Sequence, residues 1–139
     1  MKVYDISRDL LTAPLHKGDS PPRLQPMLSL EQGDSINLHY LYACTHAGTH
    51  VDAPSHTIPG GKTIDQLPPE LFCGACRVAA FHEQDITGAD IDRLLRPGEE
   101  RLLIKGGGRA RLTLSAAYAL AEEPLLLVGI DAPSIACEE

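Results

Sequence analysis

Three apolar runs of strand length, at residues 74–81, 101–105 and 125–130, are separated by two segments whose apolar residues recur at the helical period. In the first segment Thr87 is placed to cap a short helix carrying Ile91, Leu94 and Leu95, which Pro97-Gly98 terminates. In the second, Thr113 is placed to cap a helix on which Leu114, Ala117, Tyr118 and Ala121 repeat, and Pro124 blocks its continuation. Strands alternating with capped helices require a mixed α/β domain, because each helix must lay its apolar stripe on a sheet.

The first half of the chain is organised differently. Residues 3–6 read as a first strand, followed by a polar loop through His16-Lys17-Gly18-Asp19 and the turn formers Ser20-Pro21-Pro22. Residues 24–31 and 35–44 read as two strands of a hairpin joined by Gln32-Gly33-Asp34, with Ile36, Leu38, Tyr40 and Tyr42 alternating along the second. Residues 45–59 contain Gly48 and Pro54, which exclude a long helix and predict a tight loop with one short helical turn.

A chain of 139 residues with 43% hydrophobic content is expected to form one domain spanning residues 1–139. Its net charge of -7 would repel a phosphate backbone, so nucleic acid is not expected as a partner. Acidic residues interrupt the N-terminus where a signal peptide needs an apolar stretch, and no run reaches membrane-spanning length. Cys44, Cys73, Cys76 and Cys137 are too unevenly placed for a secreted disulfide framework. A soluble cytoplasmic protein with reduced thiols is expected, and no membrane association.

Chemistry concentrates in His46-Ala-Gly-Thr-His50-Val-Asp52-Ala-Pro-Ser-His56, which holds three of the six histidines of the chain. One histidine in such a loop would be read as a side chain bonded to backbone; four ligand-type residues together are read as a site. Two imidazoles and a carboxylate make a nitrogen and oxygen donor set suited to zinc, manganese or ferrous iron, and the lack of cysteine donors argues against a closed structural zinc site. Gly48 lets the chain fold tightly between the histidines, and the Thr49 hydroxyl is expected to hold a ligand imidazole. His56, beyond the stiffening Pro54, is the candidate proton-transfer base. A zincin helix is excluded, since Ala47 stands where that pattern needs glutamate and Gly48 follows.

The pattern His-x-Gly-Thr-His-x-Asp-x-Pro-x-His resembles the signature of the kynurenine formamidase and cyclase family of metal-dependent hydrolases. Val3-Tyr-Asp-Ile-Ser7, Gly18-Asp19 and Gly129-Ile-Asp-Ala-Pro-Ser134 agree with that family in order. The resemblance implies an α/β domain of swivelling β/β/α type that forms homo-oligomers. It also implies His46, His50 and Asp52 as metal ligands, Asp52 bridging to a second ion, and His56 in proton transfer. The implied cofactor is a divalent metal, zinc or manganese, and the implied reaction is hydrolysis of an amide, formamide or lactam bond in a small molecule.

Two departures from the family shape the remaining expectations. Formamidases resemble one another in a tryptophan before Pro-Gly-Asp, whereas this chain has His16-Lys17-Gly18-Asp19; His16 is the candidate substrate-binding residue there, and kynurenine itself is disfavoured. Family members also continue past the Asp-x-Pro-Ser segment to supply a later histidine and glutamate. The domain is therefore expected to be incomplete at its C-terminal end. The rival readings are a non-catalytic remnant that binds metal or assembles without turnover, and a thiol-based redox or metal sensor. Cys73-Gly-Ala-Cys76 lacks a second pair, Lys105-Gly-Gly-Gly108 lacks the ending of a phosphate loop, and His39 and His82 are read as ordinary bonded or solvated histidines.

Overall fold

The computed structural model describes residues 2–136. The chain divides into two compact units, Met1–Gly61 and Lys62–Glu139.

The first unit is built on an antiparallel hairpin of β1 (Arg23–Leu28) and β2 (Leu38–Tyr42), with Arg23 opposite Tyr42, Gln25 opposite Tyr40 and Leu28 opposite Leu38. The register slips between Pro26 and Leu28, so one strand carries an extra residue and the ribbon twists there. A 3-10 turn at Leu30–Gln32 and Gly33, at φ 92°, reverse the chain between the strands. Asp34 accepts from the Ser29 N–H at 2.7 Å and Asn37 from the Leu30 N–H at 2.9 Å, which staples the connection. The expected hairpin is thus present.

The strand expected at residues 3–6 is not. Val3, Tyr4 and Ile6 are exposed, and Asp5 instead folds the segment locally by accepting from the Ser7 N–H and hydroxyl at 2.9 and 2.6 Å. An aspartate that bonds its own backbone two residues on competes with ladder formation, and among the described residues the segment pairs with no strand.

The second unit is a small parallel α/β arrangement. Its sheet has the order β3 (Arg77–Ala80), β5 (Arg101–Lys105), β7 (Leu127–Ile130), all parallel, with Ala79 opposite Ile104 and Ile104 opposite Ile130. The connections carry two helices, α1 (Gly88–Leu94) and α2 (Leu114–Ala121). Each helix is preceded by a two-residue strand, β4 (Asp85–Ile86) and β6 (Arg111–Leu112), and these pair with each other in parallel. These short strands have no periodicity to announce them; tertiary pairing alone makes them.

Both capping threonines take the expected role. The Thr87 side chain accepts from the Asp90 N–H while Asp90 accepts from the Thr87 N–H at 2.9 Å, and the Thr113 side chain accepts from the Ala116 N–H. The core gathers Ala79, Ile86, Ile91, Leu102, Ile104, Ala110, Leu112, Ala116 and Leu120. Leu102 and Ile104, two apart on the central strand, are 0% and 2% exposed, as a helix-covered sheet face demands. Each large side chain so buried contributes about 1.5–3 kcal/mol.

On α2 the expected face is corrected. Ala116 and Leu120 face the core, whereas Leu114 and Tyr118 are exposed. Both sets are four apart, so period alone does not choose between them. The Thr113 hydroxyl chooses, because it also donates to the Ile86 carbonyl at 2.8 Å and so fixes the rotation of the helix start.

Arginines bind the loops of this unit. Arg101, 6% exposed, donates from Nε to the Leu71 carbonyl at 3.0 Å and from its terminal nitrogens to the Glu70 carbonyl and the Glu100 carboxylate, so each guanidinium nitrogen of the buried charge has a protein oxygen as partner. Arg77 pairs with both Glu99 oxygens and donates to the Leu94 carbonyl, which satisfies the end of α1. Among the described residues no helix is long and apolar enough to cross a membrane.

Candidate metal centre

The metal-type residues lie in the first unit, on the loop that leaves β2. That loop opens with a turn in which the Ala47 N–H donates to the Cys44 carbonyl at 3.0 Å. Ala47 is the buried anchor of the loop; His46 before it is half-buried, and Thr49 to Asp52 after it are exposed. Gly48 then takes φ 66°, a left-handed conformation that an L side chain rarely adopts, and this reverses the chain between the histidines. Pro54 opens a 3-10 turn, Pro54–His56, closed by the His56 N–H on the Ala53 carbonyl at 2.9 Å.

The result is a convergence of three donor atoms. His46 Nδ1 lies 2.9 Å from Asp52 Oδ1 and 3.2 Å from His50 Nε2, and His50 Nε2 lies 3.5 Å from Asp52 Oδ1. Donor atoms on a single ion with bonds of about 2.1 Å sit roughly 3.0 Å apart at a right angle and roughly 3.4 Å apart at the tetrahedral angle. The triangle therefore already has the edges of one face of a coordination polyhedron. The side chains are 29%, 26% and 43% exposed for His46, His50 and Asp52, so the remaining positions open to solvent, as a catalytic rather than a closed structural site requires.

The orientation of His50 has a cause. Its Nδ1 is 3.0 Å from the Gly48 carbonyl, so Nδ1 carries the hydrogen and the Nε2 lone pair is turned to the cluster. The rings of His46 and His50 stand nearly perpendicular, 83° at 5.0 Å between centroids, which lets two different nitrogens reach one point. His56 stands beside this group, its ring centroid 4.2 Å from that of His46, and is not one of the three converging donors.

The structure corrects one detail. The Thr49 hydroxyl does not hold an imidazole; it accepts from the Arg8 N–H at 2.8 Å, and the Gly48 carbonyl does the holding. A main-chain acceptor carries no residue-type signal, although the Gly two positions before a histidine is compatible with one. His16 sits in an exposed turn closed by the Asp19 N–H on its carbonyl at 3.1 Å, and is not among the converging residues.

The cysteines and the glycine turn lie outside the converging donors. Cys44, Cys73 and Cys76 are free thiols, while Cys137 lies outside the described residues. The glycine turn after β5 is occupied by a carboxylate of the chain itself: Asp131 accepts from the Gly106 and Gly107 N–H groups at 2.8 and 3.0 Å. A nest so filled has no place for phosphate.

Comparison with known proteins identifies the family and the fold. The model of the Cyclase family, described as "Putative cyclase", matches residues 4–136. A kynurenine formamidase of Bacillus anthracis is 29% identical, and one of Bordetella petrii 32%, each alignment covering 96% of this chain and 70% of the relative. For a formamidase of Bacillus thuringiensis the chain covers 66% of the relative's length. Among solved structures, one described as a potential metal-dependent hydrolase with cyclase activity superposes with a TM-score of 0.74 at 26% identity, over 99% of this chain and 71% of the other. A predicted metal-dependent hydrolase from Bacillus stearothermophilus gives 0.71 at 26% identity, over 99% and 72%. The mixed α/β fold is thus shared with metal-dependent hydrolases, and with a family match running almost from end to end, this chain belongs to the cyclase family.

Proposed function

We propose that this chain carries the metal site of a hydrolase acting on a carbon–nitrogen bond, an amide, formamide or lactam, in a small molecule. The observation that carries the reading is the meeting of His46 Nδ1, His50 Nε2 and Asp52 Oδ1 within 3.5 Å of one another, with the His56 ring alongside. These three residues would hold a divalent ion, zinc or manganese, through neutral imidazoles and one carboxylate. Bound there, the ion supplies Lewis acidity toward a carbonyl oxygen and acidifies water.

The protein's own contribution is positional and protonic. The Gly48 carbonyl keeps His50 in the tautomer whose Nε2 lone pair faces the cluster. Asp52 brings the negative charge that offsets a dication. His56, held by the Pro54 turn beside the cluster and outside the ligand triangle, retains a nitrogen with which to take a proton from the attacking water and return it to the departing amine. His16 is assigned to the substrate side on resemblance alone.

A reduced, cytoplasmic setting is supported by the uneven spacing of the four cysteines, which does not fit a secreted disulfide framework. A homo-oligomeric form is supported by the uncovered apolar side chains of the hairpin, Leu24, Met27, Leu38 and Leu41 among them.

The test is a pair of substitutions read by elemental analysis and by hydrolysis of arylformamides, simple amides and lactams. His46→Ala is expected to lose metal and turnover together, and His56→Ala to keep its metal and lose turnover. Metal loss in His56→Ala would place His56 among the ligands. A metal-loaded wild type inert toward every substrate class would make the chain a binding protein only.

A further inference from the structure

The geometry points to a strap: residues 5–12 form a preshaped segment that clips onto the Gly48-Thr49 turn and fixes the donor position of His50, making Thr49 and Gly48 positioning residues for metal binding. This inference rests on the metal-centre reading above.

The strap is shaped before it reaches the loop. Asp5 accepts from the Ser7 N–H and hydroxyl, and Asp9 accepts from the Leu11 N–H at 2.9 Å, the Thr12 N–H at 3.0 Å and the Thr12 hydroxyl at 2.9 Å. The Ala13 N–H closes the second turn on the Asp9 carbonyl at 2.9 Å. Arg8 lies between these two aspartate-organised turns, so its N–H is presented by a segment whose conformation is already restricted.

That N–H donates to the Thr49 hydroxyl at 2.8 Å, a bond across 41 residues of sequence. The two backbones also touch. A Cβ on Gly48 would meet the Leu10 Cα at 3.3 Å and the Arg8 carbonyl oxygen at 3.4 Å, closer than ordinary contact. The strap therefore lies directly on the residue whose carbonyl orients His50, and is bonded to the residue between that carbonyl and His50. The loop side chains from Thr49 to Asp52 are exposed, so burial does not fix this stretch. A ligand loop held in its binding geometry before the ion arrives loses less freedom on binding, and its affinity rises accordingly.

Thr49→Val keeps the shape and removes the acceptor; Thr49→Ser keeps the hydroxyl. Gly48→Ala disturbs the same contact from the other side. Each protein, full length, is titrated with Co2+ by calorimetry and by visible absorption, with circular dichroism of the metal-free form. Thr49→Val is expected to weaken Co2+ binding about tenfold, the lower end of what removing an outer-shell partner costs, and to alter the Co2+ absorption bands. Thr49→Ser is expected to restore both, and Gly48→Ala to weaken binding in the same direction. Wild-type affinity and bands in Thr49→Val, or a Thr49→Ser protein no better than Thr49→Val, would overturn the strap while leaving the metal centre standing; where Thr49→Val fails to fold, wild-type affinity in Gly48→Ala overturns it equally. A wild type that binds no Co2+ would overturn the metal-centre reading, and the strap with it.

Discussion

Asp131 offers the sharpest test of how the second unit is held together. It follows β7 directly and accepts from the Gly106 and Gly107 N–H groups at 2.8 and 3.0 Å, so one carboxylate ties the loop after the central strand to the end of the edge strand. Burial pushes its pKa up, but the backbone N–H groups of Gly106, Gly108 and Gly107 outweigh that and hold it below the usual 3.8. Hydrogen bonds to a charged group contribute about 1.5–3 kcal/mol each when well shielded. At this solvent-accessible position screening reduces the pair to about 1–2 kcal/mol in total. Asp131→Ala should lower the melting temperature by about 4–8 °C at neutral pH, and Asp131→Asn, which keeps one acceptor oxygen but no charge, should fall between. The sign of the pH dependence follows from the lowered pKa. The carboxylate's contribution is complete above the unfolded value near 3.8 and disappears as pH falls through the lower folded value, because the proton then binds both states equally. Urea melts of wild type and Asp131→Ala from pH 7 downward should therefore converge below pH 3.8. A stability gap that persists undiminished in acid, or an Asp131→Asn protein as stable as wild type, would refute the reasoning.

Further outcomes are expected elsewhere. Thr87→Ala and Thr113→Ala should each cost about 1 kcal/mol as lost helix caps, with Thr113 the more damaging because its hydroxyl also donates to the Ile86 carbonyl at 2.8 Å; equal losses in chemical denaturation would show that this second bond contributes nothing. Among the described residues the one group of converging metal-type donors is His46, His50 and Asp52, so the chain should hold about one tightly bound zinc or manganese. Chelation should abolish hydrolysis and readdition restore it, and two tightly bound ions per chain by elemental analysis would reveal donors outside this group.

What the sequence disclosed and what it concealed divide along a physical line. The convergence of His46, His50 and Asp52 was legible because ligand chemistry restricts residue type: His, Asp, Glu and Cys are the usual donors, and four such residues in eleven positions stand out. The capping threonines and the central strand, Arg101–Lys105, were legible because local hydrogen bonding and an unbroken apolar run specify them without help from the rest of the chain. The devices that failed to show are those made by the main chain or by distant pairing. Residues 3–6 have strand composition, yet Asp5 turns them back on themselves; β4 and β6 are two residues each and exist because they find one another across 26 residues of sequence. The face of α2 was misread because Leu114 with Tyr118 and Ala116 with Leu120 satisfy the same period, and the choice is made by a hydroxyl bonded to another element.

The same line runs through the metal loop. The side chains proposed as its ligands could be read; the groups that aim them, the Gly48 carbonyl and the Arg8 N–H, are backbone and could not. Gly48 nevertheless leaves a trace, because a reversal at φ 66° under a strap that stands 3.3 Å from where a Cβ would lie tolerates no other residue without strain. Its place between the two histidines is therefore part of the proposed metal site as much as the histidines are: it turns the loop, admits the strap, and offers the carbonyl that selects the tautomer of His50.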